Sequence, residues 1–133
     1  MLQLTPTNVP AHLHRDASTH QRTVRPELQQ QREFRVRQLE ELEATIASAS
    51  SFSADEPQHQ VILDLRSAAA IALAEIDAAL KRMEIGTYGK CERCHTGIPQ
   101  ERLAVLPMVR FCMPCQAAHE AQMRRDAAAR RLD

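Results

Sequence analysis

From Pro26 to Ser50 the chain runs without an internal glycine or proline, and Leu39, Leu42, Ile46 and Ala49 recur at the 3,4,3 spacing of a helix that packs one face. Further back that seam passes through Arg35, Arg32 and Leu28, with Phe34 and Val36 to its side. Serines, Asp55, Glu56 and Pro57 interrupt the pattern between Ser48 and Pro57, which predicts a tight link. A second apolar stripe, Val61, Leu65, Ala68, Ala72, Ile76, Ala79 and Met83, then runs to about Gly86, with Ile62, Ala69, Leu73 and Leu80 beside it. Two long helices joined by a short link predict an antiparallel coiled-coil hairpin over residues 26–86 with its tip near 48–57, and alanines let the axes approach closely. At 1.5 Å per residue each arm is roughly 35–45 Å long. Pro26 and Glu27 suit a first helical turn, whereas residues 1–25, rich in Pro, Thr, His and Gln, lack periodicity and are expected to form a mobile arm.

Composition narrows the fold class to mainly α. Three glycines, 3% aromatics and no tryptophan in 133 residues leave little material for a sandwich, a barrel or a glycine-rich phosphate loop. So thin a core needs reinforcement other than aromatic packing. The 17 basic and 17 acidic side chains cancel, but not locally. Residues 38–65 hold six acids (Glu40, Glu41, Glu43, Asp55, Glu56, Asp64) and neither Lys nor Arg, while residues 81–133 hold ten basic and six acidic groups. The link end of the rod is thus its negative pole.

All four cysteines lie within 25 residues, as Cys91-x2-Cys94, a gap of seventeen, and Cys112-x2-Cys115. Two such knuckles place four thiolates around one Zn2+ in a closed tetrahedron, about 2.3 Å from each sulfur. The leading residues carry neither a signal-peptide core nor a membrane span, so a cytoplasmic protein with reduced thiols is expected, and with it a structural zinc finger over residues 87–116. A redox dithiol or unliganded thiols are the alternatives. A closed tetrathiolate is no Lewis-acid catalyst; it stabilises a segment with almost no core of its own. His95 and His119 are close enough in sequence to suggest ligands but are not needed. A final helix starting near Cys112 carries Arg124, Arg125, Arg130 and Arg131 through the C-terminal segment 117–133, either as a solvated face or as a surface for an acidic partner.

The stretch Ile76 to Met83, then Gly86-Thr87-Tyr88-Gly89-Lys90-Cys91, Cys94, Ile98-Pro99, Arg102-Leu103, Pro107 and Cys112-x2-Cys115 resembles the DksA/TraR zinc-finger family of bacterial transcription regulators. The match spans about residues 60–116. The resemblance implies a coiled-coil hairpin projecting from a zinc-finger base, entering the secondary channel of RNA polymerase, and bringing acidic tip residues near the active site. Three departures stand out. Family members carry Gly after the second cysteine, where this chain has His95. The family's D-x-x-D-x-A tip falls on Ser48, Ser51 and Ser53, so the acidic role passes to Asp55 and Glu56, with Ser51, Phe52 and Ser53 as shape contacts. The basic positions of members that respond to ppGpp are Leu106, Gln116 and Glu75 here, which implies weak or absent potentiation.

The expected function is therefore that of a non-enzymatic regulator, monomeric when free, that binds RNA polymerase. It has no catalytic residues of its own, although a tip carboxylate could help hold Mg2+ at the polymerase active site as a borrowed activity. The competing reading is a DNA-binding zinc finger, sequence-specific or not. The cysteine spacing is that of GATA-type fingers, but the intervening span lacks their tryptophan and arginine pair, and phosphate repels the acidic arm. An enzymatic reading fails because no nucleophile is paired with a base.

Overall fold

The computed structural model describes residues 11–48 and 56–132, with side chains from His20 onward. Its helices are α1 (Ala11–Ser48), α2 (Pro57–Ile85), α3 (Gln100–Val105) and α4 (Met113–Arg131). The first two form the predicted hairpin. Arg32 Nε lies 2.6 Å from Asp77 Oδ1, and Arg66 Nη2 lies 3.7 Å from Glu43 Oε1. Eleven residues forward along α1 thus correspond to eleven backward along α2, as antiparallel packing requires. Both pairs are about half exposed, so they mark register more than they stabilise, at about 0.2–1 kcal/mol each.

Local chemistry sets the limits of α2. Pro57 occupies its first turn, where the missing N–H has no intrahelical partner to lose, and Glu56 precedes it in extended conformation (φ −75°, ψ 131°). At the other end Gly86 takes the left-handed conformation (φ 82°, ψ 18°). The N–H groups of Gly86, Thr87 and Tyr88 then converge on the Arg82 carbonyl, the last two at 2.9 and 3.1 Å. That convergence turns the chain out of the helix and into the finger.

The start of α1 departs from the expectation. Of the arm expected over residues 1–25, residues 1–10 lie outside the described residues and residues 11–25 are helical, since the helix begins at Ala11, and Pro26 lies inside the helix instead of opening it. An internal proline removes one helical hydrogen bond and crowds the preceding turn, a penalty of about 3 kcal/mol. Burial opposes it. Val24 and Leu28 join Ile76, Ala79 and Met83 in the core at the base of the hairpin, with Leu80, Tyr88 and Met108 against them. One turn further out, the His20 ring stacks on Tyr88, with centroids 6.3 Å apart and planes 16° from parallel.

The seam of α2 is also rotated from the predicted one toward its link end. Ile76, Ala79 and Met83 are buried as expected, and Ala69 is buried with Ile62, Leu73 and Leu80 half-buried, but Val61, Leu65 and Ala68 are exposed. Over Ala68–Ala79 nearly every position is apolar, so the sequence period does not select one face. Toward the link the packing is shallow, since Leu39, Leu42 and Ile46 of α1 are only half-buried. The firm part of the rod is its base. We predict that Leu28→Ala, which empties a site 1% exposed, destabilises the folded chain by about 2–5 kcal/mol in denaturant titration, while Phe34→Ala at the exposed flank changes little.

Candidate metal centre

The finger begins where Gly86 ends α2. Gly89 also has positive φ (84°), and it turns the chain so that Lys90 and Gly97 form an antiparallel bridge. Two short hydrogen bonds hold this first knuckle: Ile98 N–H to the Gly89 carbonyl at 2.7 Å and Cys91 N–H to the Thr96 carbonyl at 2.8 Å. The second knuckle is the start of α4, with Cys112 as its extended N-cap residue and Pro114 in the first turn. Glu92 N–H donates to the Arg110 carbonyl at 2.9 Å and joins the two. Cys91, Ile98, Leu103 and Phe111 form a small core between them.

Cys91, Cys94, Cys112 and Cys115 come together with their sulfurs all within 4.8 Å of one another. A tetrahedron with Zn–S near 2.3 Å has S···S edges of about 3.8 Å. The Cys94–Cys112 edge is 3.7 Å. The donor set fits one tetrahedral zinc ion, closed to water on all four corners.

The electrostatics favour the same occupant. Burial pushes the Cys91 thiol up, but the amide N–H groups of Cys94, Cys112 and Arg93 outweigh it and bring that thiol down to about 6. Thr96 lowers Cys94 through its hydroxyl, 2.9 Å from the sulfur, and through its amide. Cys115 is pushed up to about 12, first by its hydrogen bond with Cys112 and then by burial and the remaining thiols. Four sulfurs this close cannot all ionise unaided. A divalent cation resolves the conflict by supplying the missing positive charge.

His95 has φ 64° and is therefore left-handed, at the place where the DksA/TraR pattern has glycine. It is exposed and donates its backbone N–H to the Cys91 carbonyl at 2.9 Å. His119 packs on Phe111, with ring centroids 5.1 Å apart. Neither histidine joins the four-sulfur cluster among the described residues.

A junction that the sequence reading missed ties the finger to the hairpin. Arg82, 6% exposed, donates from Nη2 to the Met108 carbonyl at 3.1 Å and from Nη1 to Glu92 Oε1 at 3.4 Å. Burial lowers its pKa, and the neighbouring Glu92 carboxylate opposes that shift. Tyr88 donates its hydroxyl to the Pro107 carbonyl at 2.9 Å, and burial raises its pKa. Arg102 Nε reaches the Phe111 carbonyl at 3.4 Å. The one available signal was position 82 itself, a charged residue on the apolar face between Ala79 and Met83.

Of the predicted tip residues, Glu56 is half-buried at the start of α2, while Ser51, Phe52, Ser53 and Asp55 lie outside the described residues. Glu75, Leu106 and Gln116 are brought together on one groove between α2 and α4.

Comparison with known proteins agrees with this geometry. Residues 86–121 match the prokaryotic dksA/traR C4-type zinc finger. Over 55 residues, 41% of this chain, it is 51% identical to an uncharacterised protein of Aquifex aeolicus and 42% identical to general stress protein 16O of Bacillus subtilis. The matches span only 38% and 34% of those relatives. Among solved structures, transcription factor DksA2 of Pseudomonas aeruginosa is similar over 87% of this chain and 88% of its own, with 29% identity and a TM-score of 0.52.

Two outcomes are expected at this centre. His95→Gly relieves a left-handed strain worth about 1–2 kcal/mol and should let the protein hold zinc against several times more chelator. Stripping the metal should remove the hydrogen-exchange protection of residues 89–98, while the α1–α2 base keeps most of its helical circular dichroism.

Proposed function

We propose that this chain, which carries the DksA/TraR C4-type zinc finger, is a transcription regulator that binds RNA polymerase and inserts the link end of its hairpin into the secondary channel. The observation that carries the reading is a two-helix rod whose base is held by a tetrathiolate finger and whose other end is acidic, with Glu43 its one acid paired to a basic side chain, Arg66, among the described residues. From residue 38 to residue 65 there are six acids and no Lys or Arg, and Glu40, Glu41, Glu43 and Asp64 are all exposed. With 29 residues in α2, the arm reaches about 43 Å from the finger. A narrow negative probe is drawn toward a passage lined by cations and ending at Mg2+, and the wide base limits how far it enters. The contacting residues proposed at the tip are Asp55 and Glu56, flanked by Ser51, Phe52 and Ser53. The finger's zinc is structural in this scheme, and the chain itself performs no catalysis.

Asp55→Lys together with Glu56→Lys should abolish the effect on initiation in a purified transcription assay while zinc content and helicity stay unchanged; an undiminished effect would refute the tip assignment. Within the groove, the three positions Glu75, Leu106 and Gln116 offer a carboxylate, an alkyl chain and an amide where a polyphosphate needs cations, and the arginines that also line it are held by other groups: Arg82 and Arg110 by Glu92, Arg102 by the Phe111 carbonyl. Adding ppGpp to the same assay should therefore change the response little, and a strong potentiation would contradict this.

A further inference from the structure

Arg82 is a single side chain that grips both halves of the finger. Its Nη1 lies 3.4 Å from Glu92 Oε1, and Glu92 stands next to Cys91. Its Nη2 donates to the Met108 carbonyl at 3.1 Å, four residues ahead of Cys112. One nitrogen of the fork thus serves the approach to each cysteine pair. Glu92 in turn links the two pairs, through its N–H to the Arg110 carbonyl at 2.9 Å and through Oε2, 3.9 Å from Arg110 Nη1. The main-chain carbonyl of Arg82 accepts from Gly86, Thr87 and Tyr88 as the chain leaves α2.

A planar fork makes both side-chain contacts only while the two knuckles stand at a fixed separation, and the four gathered sulfurs set that separation. Losing it is costly. The Arg82 side chain is 7% exposed, whereas that of Glu92 is 40% exposed. A knuckle that drifts carries the carboxylate into water and leaves a buried charge without its partner, which costs far more than a broken surface pair. Arg82 must then leave its place as well, at the last turn of α2 where the rod meets the finger. The Tyr88 hydroxyl is no substitute, because on the Pro107 carbonyl it reaches only the loop before the second cysteine pair.

We propose that Arg82 is a positioning residue that links zinc binding in the finger to the direction in which the hairpin stands, so that each stabilises the other. The apolar core at the base joins α1 to α2, and the guanidinium joins α2 to the metal centre. A zinc-loaded finger holds the rod in one direction through this fork, and a rod fixed in that direction helps to keep the two knuckles, and so the zinc, in place. The coupling is a property of the chain alone and does not rest on the polymerase reading.

Chelator competition and residual dipolar couplings of the zinc-loaded full chain test the proposal together. Arg82→Met should surrender zinc to roughly 5- to 150-fold less chelator, the usual range for coupled sites. Arg82→Lys, which keeps the charge but not the fork, should lose nearly as much. Cobalt in place of zinc should give the same tetrathiolate spectrum in every variant, so that affinity changes and the ligand set does not. In the zinc-loaded wild type the amides of α2 and of residues 89–98 should fit one orientation, and in zinc-loaded Arg82→Met they should need two. Glu92→Gln, which leaves Arg82 in the chain, should reproduce part of the zinc loss, and adding it to Arg82→Met should cost little more. Leu28→Ala weakens the base without touching the guanidinium and should leave chelator competition unchanged. Wild-type zinc retention in both Arg82→Met and Glu92→Gln overturns the proposal. Equal zinc loss in Leu28→Ala, or a single orientation in zinc-loaded Arg82→Met, overturns it as well.

Discussion

Four sulfurs packed within 4.8 Å are the constraint around which this molecule is organised. The finger buries only Cys91, Ile98, Leu103 and Phe111, too little apolar surface to fold a segment of this length alone. Thiolates at that separation repel one another, and only a cation among them turns repulsion into cohesion. Once the tetrahedron is closed, its two knuckles fix Glu92 and the loop through Met108, which are the groups that Arg82 holds. The direction of the rod thus follows from the metal centre through one guanidinium and the Tyr88 hydroxyl.

That coupling gives physical meaning to several residues of the family-like motif. Gly86 is needed for the left-handed exit from α2, and Gly89 for the turn into the first knuckle. Tyr88 spans both small cores and is anchored on the Pro107 carbonyl, while Leu103 is buried and its neighbour Arg102 holds the Phe111 carbonyl. These are roles in joining two weak cores into one stable base. None of them concerns the acidic end, so the base can be retained in a chain whose tip residues differ.

What was legible in the sequence was what local chemistry decides. Pro57 and Gly86 bound α2 as their backbone preferences dictate, and the spacing of the cysteines identified the ligand set. His95 stood out against the glycine that the family resemblance places there, and its φ of 64° gives the physical reason. The start of α1 was not legible: Pro26 is a local signal to begin a helix, and it is overruled by Val24 and Leu28, whose burial depends on residues fifty positions away. The seam of α2 was legible only where Ile76 and Met83 stand out from alanine. Arg82 escaped because a charge on an apolar face reads as solvated until its carbonyl and carboxylate partners are seen.

The two arms of the hairpin are attached to the base in different ways. Helix α2 runs into the finger through the backbone and is pinned at its last turns by Arg82, whereas α1 meets the base through side chains, with Val24, Leu28 and the His20 ring as its main holds. A push delivered at the free end therefore travels along α2 as along a strut, and α1 serves as the splint that keeps the strut from bowing.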